Sequence, residues 1–141
     1  MSLAGEFAVR YAGLRQAYGT FTASNETRED GKASGKNITI SKELSDNDLL
    51  KLWEDHLSGH QSVGIVPIDE HNNCVWGAID VDEYQLDLKD LSIKIAKQEL
   101  PLVLCRSKSG GAHIYIFLSE PVAASMLQRK LRQIAASIGY G

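Results

Sequence analysis

Cysteine is scarce in this 141-residue chain, which has only Cys74 and Cys105. Neither has a C-x-x-C neighbour, so the ligand spacing of zinc ribbons and dithiol redox sites is absent. Each reads as a small apolar residue inside a predicted strand, not as half of a disulfide. Long apolar runs are also missing: none approaches the ~18 residues of a membrane span, and the polar N-terminus lacks the apolar core of a signal peptide. These absences predict no membrane partner and a cytoplasmic location. Nor is there an excess of positive charge. A net charge of −3 gives no general attraction for nucleic acid, so any such binding must come from a local basic patch. The G-x-x-x-x-G-K-[ST] loop is absent as well. The stretch "SKSGG" at 107–111 lacks its spacing and runs into a predicted strand instead of a helix, which excludes a P-loop nucleotidase.

What is present suits one compact domain, because 43% hydrophobic residues in a chain of this length build a single core. Residues 1–61 read as a helical N-terminal part containing a polar loop, and residues 62–141 as the main body. Phe7, Tyr11, Leu14 and Tyr18 recur at helical intervals and predict a helix over 6–18. Residues 19–37 show neither helical nor strand periodicity and read as a surface loop, a ligand-contacting loop or a disordered stretch. Ser45 is an N-cap for a helix on which Leu49, Leu50, Trp53 and Leu57 form an apolar stripe ending before Gly59. His56 and His60 lie four apart, but Gly59 falls between them and ends the helix, so they read as a solvent-facing pair.

From residue 62 the pattern becomes β-rich. "SVGIVPI" and "CVWGAIDVD", separated by "DEHNN", predict an antiparallel hairpin with His71 exposed in its turn. A helix over 86–98 follows, then a strand "PLVLCR", the "SKSGG" turn and a strand "AHIYIFL". Last comes a helix opened by Pro121 and carrying Val122, Met126, Leu127, Leu131, Ile134 and Ile138. From residue 74 the order strand, helix, strand, strand, helix is a split βαβ arrangement of the α/β (α+β) class. Its final strand is missing because the chain stops at "GYG". Trp53 and Trp76 have apolar neighbours and read as core or interface residues.

Within this frame "CVWGAIDVDEY" carries Asp80 and Asp82 two residues apart, on one face of a strand and roughly 6 to 7 Å from each other. Like charges so placed repel unless something positive lies between them. In the split βαβ topology the neighbouring strand carries His113, Tyr115 and Phe117 on its open face, with Ile114, Ile116 and Leu118 turned toward the helices. Two carboxylates, an imidazole and a glycine turn form a candidate site for a divalent cation with a phosphate-bearing ligand. Ser107, Ser109 and the N–H groups around Gly110 and Gly111 can donate to phosphate oxygens, Arg106 and Lys108 add positive charge, and His113 can donate as well. Taken alone, "SGG" is first of all a hairpin turn and D-x-D an ordinary exposed pair.

The pairing of "WGAIDVDEY" with "CRSKSGGAHIYIF" resembles the first two signatures of the archaeo-eukaryotic primase superfamily, the primase-polymerases. There a hydrophobic strand ends in D-x-D, and a second strand begins with a small residue two positions before a histidine, here Gly111-Ala112-His113. The upstream "HLSGHQSVGIVPID" is similar to the approach to that site in primase-like domains of mobile-element conflict systems. The resemblance spans roughly residues 50–120. It implies an RRM-like catalytic core and a nucleotidyltransferase that attacks a nucleoside triphosphate with a 3′-hydroxyl on a single-stranded DNA or RNA template. Asp80 and Asp82 would bind Mg²⁺ or Mn²⁺ and His113 would contact the nucleotide phosphates. Arg106, Ser107, Lys108, Ser109, Gly110 and Gly111 would hold the triphosphate or template.

One departure stands out. The family's third signature is a later metal-binding aspartate, whereas the only acid after His113 is Glu120, in a predicted turn before Pro121. The expectation is therefore the N-terminal part of a larger primase-polymerase, inactive or weakly active alone, with further domains beyond it. Two other classes compete: a non-catalytic single-stranded nucleic-acid-binding module stacking bases on Tyr115 and Phe117, and a scaffold with no ligand at all.

Overall fold

The computed structural model describes residues 1–27, 29 and 33–140. Its chain divides into two compact units, Met1–His71 and Asn72–Gly141. No helix among the described residues is long and apolar enough to cross a membrane.

In the first unit α1 (Leu3–Arg10) is capped by Ser2, whose hydroxyl accepts from the Gly5 N–H at 3.1 Å. The helix expected to reach residue 18 stops here for a packing reason. A Cβ on Gly13 would stand 2.1 Å from the Val66 carbonyl oxygen, and Leu14 N–H donates to that same oxygen at 2.9 Å. That contact draws the backbone out of the helix, and Tyr18 enters the core from a strand instead.

The segment read as a polar loop is mostly β-structure. β1 (Ala17–Thr27) and β2 (Ala33–Ser41) pair antiparallel, with residues 28 and 30–32 outside the described residues. Threonines and isoleucines such as Thr20, Thr22, Ile38, Thr39 and Ile40 supply β-branched side chains without the apolar alternation that marks a half-buried strand. Conversely, 62–68 does not pair with residues 74–81, as the sequence suggested. Its hydrogen bonds go to β1 and to Leu14 just before it: Gly64 and Gly19 exchange N–H···O bonds of 2.7 and 2.8 Å, and the Ser62 hydroxyl bonds both backbone groups of Phe21. Pro67, lacking an N–H, suits the absence of a regular ladder there.

α2 (Asp46–Leu57) matches its expected bounds because its start is chemically specified. Ser45 and Asp48 form a capping box with two 3.1 Å bonds, each side chain accepting from the other's backbone N–H. Trp53 is buried with Ala4, Tyr18, Leu44 and Leu49, and the rings of Phe7 and Tyr11 lie 5.3 and 5.5 Å from it. The Asp48 carboxyl is held below its ordinary value, first by the Ser45 backbone N–H and then by the Ser45 hydroxyl. A depressed carboxylate stabilises the fold above its unfolded pKa, and that contribution is lost as pH falls through the lowered folded value. Ser45→Ala is expected to cost about 1 kcal/mol at neutral pH but to keep most of the acid limb, because alanine retains the N–H that Asp48 accepts from. Asp48→Asn, which cannot ionise, should remove that limb; thermal melts from neutral to acid pH check both effects, and an unchanged limb in Asp48→Asn would count against the box.

The second unit runs β3 (Asn73–Val81), α3 (Leu88–Ala96), β4 (Leu102–Arg106), β5 (Ala112–Ala123) and α4 (Ala124–Ser137). The sheet order is β3-β5-β4, all antiparallel, so the first and third strands of the expected split βαβ order are indeed neighbours. Ile79, Val81, Ala112 and Ile114 turn inward against Leu91, Ile95, Ile134 and Ile138. Gly77 admits α4 to the sheet, since a Cβ there would lie 2.8 Å from Leu131 and 3.0 Å from Leu127. Pro121 does not open the last helix. It lies in the stretch of β5 where the register against β3 shifts between Cys74 and Trp76, a place that tolerates a missing ladder donor.

Candidate active site

The open face of the second sheet is built by alternation. Directly across the strands, Cys105 in β4 opposes His113 in β5, which opposes Asp80 in β3. Opposed residues share a face, so thiol, imidazole and carboxylate form one row. The Asp80 Oδ1 lies 3.3 Å from His113 Nε2, with the two side chains 71% and 40% exposed, so the pair remains open to a ligand. Tyr115 places its hydroxyl 3.3 Å from His113 Nδ1. A neutral ring satisfies both contacts when Nε2–H donates to Asp80 and Nδ1 accepts from the tyrosine.

Asp82 lies just past the strand, which ends at Val81, so the two aspartates are not both rungs of one strand face as the sequence suggested. The turn 107–111 is closed by Ser107 N–H to the Gly111 carbonyl at 3.0 Å and Gly110 N–H to the Ser107 carbonyl at 3.2 Å. Gly110 adopts φ +92°, the left-handed conformation that favours glycine. Its N–H is therefore already engaged, while Ser107 and Ser109 bring their hydroxyl oxygens to 3.4 Å. Gly111 is buried for another reason: a Cβ there would stand 2.1 Å from the Val81 carbonyl oxygen. The turn thus abuts the residue between Asp80 and Asp82. Arg106 closes β4, Lys108 and Ser109 are exposed on the turn, and neither cation forms an ion pair among the described residues.

Beside the row lie aromatic rings. Tyr115 stacks on Phe117 at 5.9 Å, Trp76 lies 6.2 Å from Tyr115, and His113 meets Tyr115 edge-on at 5.9 Å. Among the described residues no three His, Cys, Asp or Glu side chains converge in a group able to hold a metal ion. His56 and His60 are engaged locally, with the Gln61 carbonyl at 3.2 Å and the Ser58 hydroxyl at 2.6 Å.

Residues 5–139 match the family described as the TOTE conflict system, Archaeo-Eukaryotic Primase domain. The chain belongs to that family. No curated protein matches it. Membership in this primase family carries, in general terms, primase-polymerase-like nucleotidyl transfer, binding of nucleotides and nucleic acid, and use of divalent metal.

Two neighbours of the site were not legible beforehand. Cys105 reaches the row only through the β4–β5 register, which the turn length sets. Tyr140, beyond α4, has its hydroxyl pushed up first by burial and then by a hydrogen bond to Glu83, the residue after Asp82. No local spacing links positions 83 and 140, so only the folded chain reveals that contact.

Proposed function

We propose that this chain is a nucleotide-binding primase-polymerase domain whose phosphate site lies at the end of β3. Asp80 and Asp82 would hold Mg²⁺ or Mn²⁺. The donor set fits a hard ion in kind, since both ligands are carboxylates, while the remaining positions fall to water and phosphate oxygens. A bound divalent cation supplies charge neutralisation for the triphosphate and for the leaving pyrophosphate. Arg106 and Lys108, with the Ser107 and Ser109 hydroxyls, orient the phosphates from the turn. His113 exchanges its contact with Asp80 for one with a phosphate oxygen as the ligand enters. The reaction is attack of a 3′-hydroxyl on the α-phosphorus, the hydroxyl losing its proton to solvent and forming the new O–P bond as the α–β bridging bond breaks and pyrophosphate departs with the electron pair. The template would be single-stranded DNA or RNA.

The observation that carries this reading is the packing of Gly111 under Val81, which joins the basic turn to the acidic strand end. Calorimetry of the chain with a nucleoside triphosphate, with and without Mn²⁺, tests it: binding is expected only with metal. Replacing Arg106 and Lys108 together by alanine is expected to weaken that binding about tenfold or more and to lower its salt dependence. With only two carboxylates at the strand end, templated synthesis by the chain alone is expected to be weak. The ring row of Trp76, Tyr115 and Phe117 favours a second reading, a single-strand-binding module. Strand binding indifferent to metal, with no nucleotide binding, would select it.

A further inference from the structure

Two glycines lie side by side in the Met1–His71 unit without a backbone reason to be glycine. Gly19 and Gly64 are direct cross-strand partners. Neither has a positive φ, unlike Gly59, Gly110 and Gly139. A Cβ on either would meet nothing closer than 3.6 Å, an ordinary contact, whereas Gly13, Gly35, Gly77 and Gly111 would each meet an atom within 2.8 Å. Strain or crowding therefore explains those seven glycines but not these two. The missing side chains leave room for a cleft of ≈ 360 Å³ lined by Gly19, Phe21, Asn37, Thr39, Ser62 and Gly64 among others.

The walls of this cleft have a definite chemistry. Phe21 opposes Asn37 and Gly19 opposes Thr39, so ring, carboxamide and hydroxyl share the face floored by the glycines. The Phe21 ring occupies the space above Gly35, where a Cβ would lie 2.3 Å from its Cζ. Its backbone is pinned by the Ser62 hydroxyl, which accepts from Phe21 N–H at 2.8 Å and donates to its carbonyl at 3.0 Å. Thr20 Oγ1 donates to the Ser62 carbonyl at 3.1 Å and fixes the same rim. The Asn37 amide and Thr39 hydroxyl make no side-chain hydrogen bond among the described residues, and both are exposed.

No lining residue is charged, which disfavours phosphate, carboxylate or ammonium as the group recognised. The volume lies at the small end of the ~300–1,000 Å³ range of ligand pockets. A carboxamide presents a donor and an acceptor together, the pattern by which base edges are read, and an aromatic wall stacks on any base. We propose that this cleft takes a nucleobase. The inference rests on the nucleotide- and strand-binding reading above, but not on the site at Asp80.

The test uses the whole chain without metal, following the Gly19 and Gly64 amide signals by NMR and strand affinity by fluorescence anisotropy. The probes are a short oligodeoxythymidylate, an abasic strand of equal length and thymidine monophosphate. The oligonucleotide is expected to shift both glycine signals and the abasic strand to leave them in place. The single variants Gly19→Ala and Gly64→Ala, whose added methyls each meet only ordinary contacts, should fold normally, and the double variant should bind the strand about tenfold or more weakly, the loss of one stacked base, with a thermal melt to show that it is folded. Equal shifts with the monophosphate would assign a free nucleotide as the source of the base; shifts with the strand alone would assign a strand. Unchanged strand affinity in the double variant overturns the proposal, as do equal shifts from the abasic strand. In Asp80→Ala the glycine shifts should persist, so failure of the metal site and failure of the cleft are read separately.

Discussion

Replacing Asp80 by asparagine is expected to weaken metal-dependent nucleotide binding by about a hundredfold or more, since residues merely supporting a metal ligand already cost 10–100-fold when changed. The substitution keeps size and shape, and its side-chain oxygen can still accept from His113 Nε2, now 3.3 Å from Asp80. Because the side chain is largely exposed, stability should change by no more than about 0.5 kcal/mol. Calorimetry with Mn²⁺ and a nucleoside triphosphate, beside a thermal melt, separates the two effects. An asparagine variant that binds like the parent would remove Asp80 from the metal site. One that loses binding only because it melts early would make the residue structural.

Gly111→Ala is expected to have a large effect on the fold. The added Cβ has no place, with the Val81 carbonyl oxygen 2.1 Å away and the Ser107 hydroxyl at 3.3 Å. The oxygen belongs to backbone, so relief requires moving the end of β3 or opening the turn. A cost of about 2–3 kcal/mol is expected, at the upper end for overpacking, and it should lower the melting temperature by about 10 °C. Gly110→Ala is the matched control. It meets no atom within 4 Å and is penalised only by its φ of +92°, a cost of about 1–2 kcal/mol. If the two variants melt together, the contact between turn and strand end is looser than these distances indicate. At permissive temperature Gly111→Ala should also weaken nucleotide binding, because the displaced backbone is the one between Asp80 and Asp82.

How legible such features are depends on how local their cause is. α2 could be bounded from Ser45 at its start and Gly59 beyond its end, because an N-cap and a helix-ending glycine are both local signals. The face of β5 was equally readable, because Ile114 and Ile116 alternate with His113, Tyr115 and Phe117 and burial follows that alternation, while Leu118, expected to share the inner face, is only half-buried. The pairing of Asp80 with His113 followed once β3 and β5 were neighbours. Where the cause is distant, the pattern misled. The helix over 6–18 is cut short by a contact with Val66, and residues 62–68 look like a strand but spend their hydrogen bonds on β1 and Leu14. β1 and β2 escaped notice because threonines and glycines fill them, so neither face carries an apolar stripe. Asp82 falls outside β3 because the ladder closes at Val81 opposite Ala112, a boundary set by the turn and not by the D-x-D spacing.

The three-stranded sheet ends, on one side, in β3. In the sheet order β3-β5-β4 that strand is an outer one, with β5 as its ladder partner among the described residues. An outer strand is a place where a sheet can be extended, from the same chain or from another. Any strand added there becomes the direct neighbour of the one bearing Asp80, and its open-face side chains would stand about 4.5–5.5 Å from those of β3 at each matched rung. A single acidic rung in that register would turn a two-carboxylate strand end into a three-sided cage. Acidity at this site can therefore be set by whatever completes the sheet, without altering a residue of β3.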